Sequence, residues 1–370
     1  MPKNNGLQLS INLEAIVKNY RLIRSISAPA ICAAVVKCDA YGLGLGPVAR
    51  RLSEEGCANF FVALPQEAVN LRDSLKSLRR KHSIYILSGM NDKFGDVCDE
   101  SIAPVLNSLE ELKLWQTFRD QVGSGLPAIV NFDTGMNRLG LDRNETEQVL
   151  ANASIISPRY VDFVMSHLAC ADDPTHKKNE DQLDRFSDLV NVIGGRFKYS
   201  FANSPGVFLG SRFHYDMVRP GAALYGIGCN PKDRKKLSPV VELKSQIIQT
   251  RSVTSNETIG YGADGRINRP SRLATVALGY GDGLFRHLGN CGRGFISGQA
   301  VPVLGRVSMD LVTLDVTDVP ETLCKKGDWV EFIGAHQSPD DLADTAGTIG
   351  YEVLTALGNR FSKGYLGTIS

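Results

Sequence analysis

Neither a run of eighteen apolar residues nor a CxxC pair occurs anywhere in the 370-residue sequence. Without such a run no membrane-spanning helix is expected. The cysteines stand singly, at Cys32, Cys38, Cys57, Cys98, Cys170, Cys229, Cys291 and Cys324. That scatter suits reduced, mostly buried thiols and speaks against a disulfide framework. An excess of charge is also missing, since 41 basic residues face 40 acidic ones. With no basic arm and no acidic tail, nucleic acid is not an expected partner. The opening MPKNNGLQLSINLEAIVKNY lacks the apolar core and small-residue cleavage site of a secretory leader, so the chain reads as soluble and cytoplasmic.

What is present is ample apolar content, 43% of the residues, in a chain long enough for two domains. NLEAIVKNYRLIRSI has helical spacing of its apolar residues, and after it short apolar runs alternate with helix-patterned segments such as PQEAVNLRDSLKSLRR and KKNEDQLDRFSDLVNVIGG. The strand candidates are ICAAVV, NFFVA, SIYIL, IAPVL, AIVNF, YVDFVM, KYSFA and a last one near AALYGI. Roughly eight strands at intervals of about 20 to 35 residues predict a (β/α)8 TIM-type barrel rather than an open doubly wound sheet. Beyond the charged linker NPKDRKKLSP the texture becomes β-branched and alternating, punctuated by glycine and proline. This predicts an α/β barrel over residues 10–235 and a C-terminal all-β domain over 236–370, with residues 1–9 packing on the latter.

A parallel barrel places its chemistry at the C-terminal ends of the strands. Lys37 follows the first strand candidate and opens KCDAYGLG. A lysine there is as easily a strand end reaching solvent as an amine held for covalent work. In NFDTGMNRLG, Arg138 is placed to hold a carboxylate through paired hydrogen bonds, or simply to pair with Asp133. His167 in MSHLACADD lies on the same rim, where a lone histidine is more often structural. In FANSPG, Ser204 either helps cradle a phosphate or acts as a helix cap. Arg219, Gly221 and Ala222 in MVRPGAALYG add a guanidinium and free backbone donors. Lysine, serine, glycine amides and arginine on one rim suit a phosphorylated cofactor with an electrophilic carbon, as in pyridoxal 5′-phosphate. The set His167, Cys170, Asp172 and His176 has metal-binding residue types but no paired-ligand zinc spacing, so no metal is expected.

Taken together, AVVKCDAYGLG, FDTGMNRLG, MSHLACADD, FANSPG, MVRPGAALYG, TIGYGA, ALGYGDG, VLGRVSMD and GTIGYEVL, in this order from about Ile11 to Tyr365, closely resemble the alanine racemase family. The resemblance implies a fold-type III enzyme that interconverts L- and D-alanine on pyridoxal 5′-phosphate. It also implies a homodimer whose active sites join one subunit's barrel to the other's β domain. On this likeness Lys37 would carry the cofactor as a Schiff base, and Tyr41, Ser204, Gly221, Ala222 and Tyr351 would surround its phosphate. Arg219 would face the pyridine nitrogen; because arginine does not give up its proton, the ring would stay neutral. Lys37 would serve as base on the D-face and Tyr261 of the partner subunit on the L-face. Free tyrosine has a pKa near 10, so Tyr261 would need help from His167 and, through it, from the charge of Arg219. Arg138 and the backbone N–H of Met309 would bind the substrate carboxylate, Asp310 would orient the Met309 loop, and Tyr280 and Tyr351 would narrow the entrance to small side chains.

The sequence departs from the family pattern at three positions. Asn131 replaces a lysine that becomes carbamylated in many members, so a neutral amide, with or without an anion such as chloride, is expected to brace Arg138 instead. Leu43 stands where histidine is frequent, and Ser308 where cysteine is frequent. Competing readings are a racemase of serine or another small amino acid, a fold-type III decarboxylase and a non-catalytic cofactor-binding carrier. The decarboxylase is disfavoured because no GGG phosphate loop occurs and the Cys-Asp pairs lie in the barrel half. The carrier is disfavoured because it is a lone barrel.

Overall fold

The computed structural model describes residues 6–90, 94–123, 125–228, 230–358 and 360–367. Two compact units divide the chain, one formed by Ile16–Ala40 and Gly44–Ser238, the other by Met1–Ala15, Tyr41–Leu43 and Pro239–Ser370. Among the described residues no helix is long and apolar enough to cross a membrane. Seven cysteines are free, with Cys32, Cys57 and Cys324 buried and Cys38 and Cys291 exposed; Cys229 lies outside the described residues.

The larger unit is a closed parallel barrel. Its first strand comes in two pieces, Ile31–Cys32 and Ala34–Val35, that pair with opposite neighbours: Ile31 lies opposite Met217 and Ala34 opposite Phe60. Between those neighbours run Asn59–Val62, Ser83–Ile86, Ile102–Leu106, Ala128–Asn131, Val161–Met165, Lys198–Asn203 and Met217–Arg219, every adjacent pair parallel. Sheets buried on both faces need continuous apolar strands, and all five residues of Ile102–Leu106 are buried. The covering helices bury one stripe each: Leu45–Glu54 turns Leu45, Val48, Ala49 and Leu52 inward, and Lys178–Ile193 turns Leu183, Phe186, Leu189 and Ile193. Phe186 stacks on Phe201 at 4.8 Å between ring centres, which fixes that helix against the seventh strand.

The eighth strand differs from its expected place. It is Met217–Arg219, whereas Ala222–Tyr225 within AALYGI forms a buried 3-10 turn. Pro220 has no N–H to donate and ends the strand; a short buried apolar run reads the same whether it is strand or helix.

In the smaller unit the sheet runs in the order Gln299–Pro302, Arg293–Ile296, Trp329–Ile333, Val241–Val253, Leu7–Asn12, Ser362–Leu366. Ser271–Val276 branches from the long strand Val241–Val253 and pairs in turn with Val312–Asp315. Leu7–Asn12 lies antiparallel to Val241–Val253 and parallel to Ser362–Leu366, so the start of the chain is a strand of this sheet. Residues 1–5 lie outside the described residues. Two helices, Pro339–Ala346 and Gly350–Ala356, accompany the strands. The first is announced by a capping box in which Ser338 and Asp341 exchange side-chain and backbone bonds.

Candidate active site

Lys37 is half-buried where the first barrel strand ends. The backbone beyond it makes a left-handed turn: Cys38, Asp39 and Ala40 have φ of 53°, 55° and 53°, and Tyr41 follows at 57°. None is glycine, and each such residue costs roughly 1–2 kcal/mol. Local bonds offset that cost. Glu67 accepts the N–H of Cys38 at 2.5 Å on one oxygen and those of Ala63 and Leu64 at 2.8 and 3.0 Å on the other. Asp39 accepts Leu45 N–H at 2.7 Å through its side chain and Gly44 N–H at 2.8 Å through its carbonyl. The turn directly after Lys37 is thus pinned to the end of the second strand.

Arg219 is buried at the end of the eighth strand, and its acceptors are all neutral: Ser200 Oγ, the Ser166 carbonyl at 2.6 Å and the Phe201 carbonyl at 3.4 Å. Ser200 is held in turn by donating to Met217 O at 2.7 Å. Burial without a carboxylate partner lowers the guanidinium pKa to about 9, still protonated at neutral pH. Of its five N–H groups, Nε–H and one on Nη1 have no acceptor among the described residues. Beside it, Ser204 Oγ accepts Gly221 N–H at 2.8 Å and Ala223 N–H at 3.2 Å. The cap of the short helix Ser204–Phe208 is Asn203, whose Oδ1 accepts Gly206 N–H at 3.0 Å.

Asn203 also sets the state of His167. Its Oδ1 is committed to Gly206, so its Nδ2 faces Leu168 O and His167 Nε2, both at 3.3 Å. An amide N–H requires an acceptor, which makes His167 neutral with its proton on Nδ1. Electrostatics agree: desolvation, then the charges of Arg219, Arg138 and Lys37, push the imidazole pKa from 6.5 down to about 3. Lys37, Arg138, His167 and Arg219 therefore share one field, although no hydrogen bond joins His167 to Arg219 among the described residues. Three cations and no carboxylate in that field make an anion-attracting rim.

Arg138 is exposed, on the loop after the fifth strand. Asp133 Oδ1 accepts Gly135 and Met136 N–H at 2.7 and 2.8 Å, and among the described residues no ion pair links Asp133 to Arg138. Asn131 is buried and donates Nδ2 to Asn107 Oδ1 at 2.9 Å. Asn107 is fixed the opposite way, since its Nδ2 donates to Leu87 O and Val105 O. That leaves Asn131 Oδ1 buried and unpartnered. The amide thus presents a buried acceptor, able to take a hydrogen bond from a guanidinium or a water.

In the smaller unit Tyr261 is 74% exposed, Met309 55% and Tyr280 44%. Among the described residues the Met309 N–H has no hydrogen-bond acceptor, while its carbonyl accepts Gly281 N–H at 2.9 Å. Arg360 bridges Asp310 at 2.7 Å and the fully buried Asp282 at 3.0 Å, tying the Met309–Asp310 turn to the loop of Tyr280. Tyr41 and Tyr351 lie 6.2 Å apart between ring centres, Leu43 is buried under a bond from Tyr365 Oη to its carbonyl, and Ser308 Oγ donates to Leu311 O.

Reasoning from sequence missed Glu67, Asn107, Ser200 and Asn203. Ser200 left a trace, a lone hydroxyl between aromatics in the strand KYSFA. The others act through contacts that no local pattern records.

A closed parallel barrel with a cationic rim, followed by a mostly antiparallel sheet domain, is the architecture of a class of two-domain barrel proteins. Residues 11–229 match the alanine racemase N-terminal domain and residues 240–365 the alanine racemase C-terminal domain. The chain is 43% identical over 372 residues to an alanine racemase of Brucella ovis, covering 97% of this chain and 93% of that one. It is equally 43% identical over 358 residues to a catabolic alanine racemase of Rhizobium johnstonii, covering 96% and 94%. A crystal structure of alanine racemase from Bartonella henselae with covalently bound pyridoxal phosphate superposes with a TM-score of 0.92 at 38% identity, covering 97% of this chain and 99% of that one. The chain belongs to the alanine racemase family.

Proposed function

We propose that this chain interconverts L- and D-alanine with pyridoxal 5′-phosphate bound on the barrel rim, as a homodimer in which each site draws on both subunits. The observation that carries the reading is the donor set around Arg219. A buried, protonated guanidinium with uncommitted N–H groups and no carboxylate suits a neutral pyridine nitrogen, which accepts a hydrogen bond and takes no proton. Ser204 Oγ, which accepts the Gly221 and Ala223 N–H groups and keeps its own hydrogen to donate, suits a phosphate beside the Gly221–Ala222 segment, and the half-buried Lys37 on the same rim suits a carbonyl carbon.

When bound, the cofactor supplies an electron-withdrawing system that makes the substrate Cα proton acidic. Lys37 Nζ takes and returns the proton on the D-face. Tyr261 Oη of the partner subunit does so on the L-face, in keeping with its exposure in the single chain. His167 is neutral, so it assists by donating Nδ1–H toward a phenolate and not by lending charge; the positive field comes through space from Arg219. Arg138 and the free Met309 N–H hold the substrate carboxylate. Asn131 Oδ1 takes the place of a carbamate as the acceptor that steadies Arg138, and Asp310, fixed by Arg360, steadies the Met309 turn. Tyr280 and Tyr351 limit the side chain to the size of alanine.

Incubation of either alanine enantiomer in deuterium oxide tests the reading. Solvent deuterium should enter Cα with inversion and without carbon dioxide release, faster for alanine than for serine in a panel of amino acids. A Tyr261→Phe variant should retain the cofactor and lose exchange from L-alanine. Retained exchange on both faces, or decarboxylation, would exclude it.

A further inference from the structure

Resting on the roles given above to Arg138 and His167, we propose that Gln182 is a positioning residue that holds the loops carrying them as one body. Gln182 lies on the helix Lys178–Ile193, is 1% exposed, and spends its whole amide on those two loops. Its Nε2 donates to Thr134 Oγ1 at 3.1 Å, in the loop that leads to Arg138, and to His167 O at 3.0 Å. Its Oε1 accepts the N–H of Ala169 at 2.9 Å. The orientation is unique, because a carbonyl can only accept and a backbone N–H can only donate. Three residues further along the helix, Arg185 Nη1 donates to Thr134 O at 3.1 Å, so one helix face grips the first loop twice.

The amide also anchors a buried chain of hydrogen bonds. Thr134 Oγ1 accepts from Gln182 and shares a second bond with Ser166 Oγ, 2.8 Å away, in which either hydroxyl can donate. The carbonyl of Ser166 receives Arg219 Nη2. Gln182 thus touches none of the candidate reacting side chains, yet one bond takes it to the backbone of His167, one to the loop of Arg138, and three to Arg219. An apolar side chain of the same length would fill this space without the cost of burying an amide; three directed bonds fix a geometry that packing alone leaves loose.

The test uses the cofactor-loaded enzyme with Gln182→Met and, as a second variant that keeps the side chain's shape should the first fold poorly, Gln182→Glu, which removes both donors. Hydrogen exchange by mass spectrometry should rise roughly tenfold or more in residues 133–141 and in 165–171 together, the loss of one or two hydrogen bonds. The kcat/KM for alanine should fall roughly ten- to hundredfold, with part of the loss in KM through Arg138 and part in kcat through His167. Adding Thr134→Val to Gln182→Met should cost little more, since both cut the same chain. Unchanged exchange, or exchange raised in one segment alone, overturns the clamp itself. Exchange raised in both segments with kcat/KM intact overturns the positioning role through the functions assigned to Arg138 and His167.

Discussion

The neutral state of His167 can be tested through the pH dependence of stability. An unfolded histidine takes up a proton near pH 6.5, whereas the folded ring, facing Asn203 and the cations Arg219, Arg138 and Lys37, does so only near 3. Between these values the unfolded chain binds the extra proton, so stability is full above pH 6.5 and declines as pH falls toward 3. The whole shift corresponds to about 5 kcal/mol at about 1.4 kcal/mol per unit. The ring keeps some accessible surface, and solvent screening reduces the expected loss to roughly 2–4 kcal/mol. Urea unfolding at a series of pH values from about 7 to 4.5 should therefore show a steeper loss in the native chain than in His167→Gln, which cannot titrate; the excess should approach about 1 kcal/mol per unit. Parallel curves, or a His167 ring resonance that titrates at pH 6 or above, would refute both the tautomer and the field assigned to this rim.

Ser200→Ala removes an acceptor from the buried Arg219 and a donor from Met217 O; chemical denaturation should show a loss of about 1.5–3 kcal/mol, partly restored by Ser200→Thr. Glu67→Gln leaves a single oxygen for three backbone N–H groups, and hydrogen exchange at Cys38, Ala63 and Leu64 should accelerate with about 1–2 kcal/mol lost. Gly140 has a φ of +108°, and a Cβ there would lie 2.8 Å from Asp133 N and 2.9 Å from Phe132 C. Gly140→Ala should therefore displace the loop of Arg138 and raise KM for alanine, with a stability loss of about 2 kcal/mol or more.

Seven of the eight barrel strands were legible because strands covered on both sides must be short, apolar and punctuated. The eighth was displaced to Met217–Arg219 because AALYGI is equally apolar and becomes a buried turn. Lys37, Arg138 and His167 were legible as strand-end residues on one rim, and Arg219 was set on that rim although the expected eighth strand began after it; the structure puts Arg219 at the end of Met217–Arg219 and all four within one electrostatic field. The left-handed turn beyond Lys37 was not, since nothing in CDAY announces positive φ. The charge of Arg219 was expected to act through His167; in the structure Asn203 occupies His167 Nε2 and the Ser166 carbonyl occupies Arg219 Nη2, and the charge reaches the imidazole through space. Such choices among competing polar partners are settled by packing across the barrel mouth. The acceptor face of Asn131 is of the same kind, dictated by two carbonyls on neighbouring strands that fix Asn107 first.

The mirror-handed backbone behind Lys37 has a consequence for anyone wishing to transplant this amine. Four chiral residues wound against their preference form a spring, and a spring keeps its shape only between its clamps. Moving the lysine and its glycine-rich tail into another scaffold would let the coil relax, and the ammonium would swing off target. The smallest portable unit is therefore discontinuous: the segment from Val36 to Leu45 together with the strand end and helix that carry Glu67.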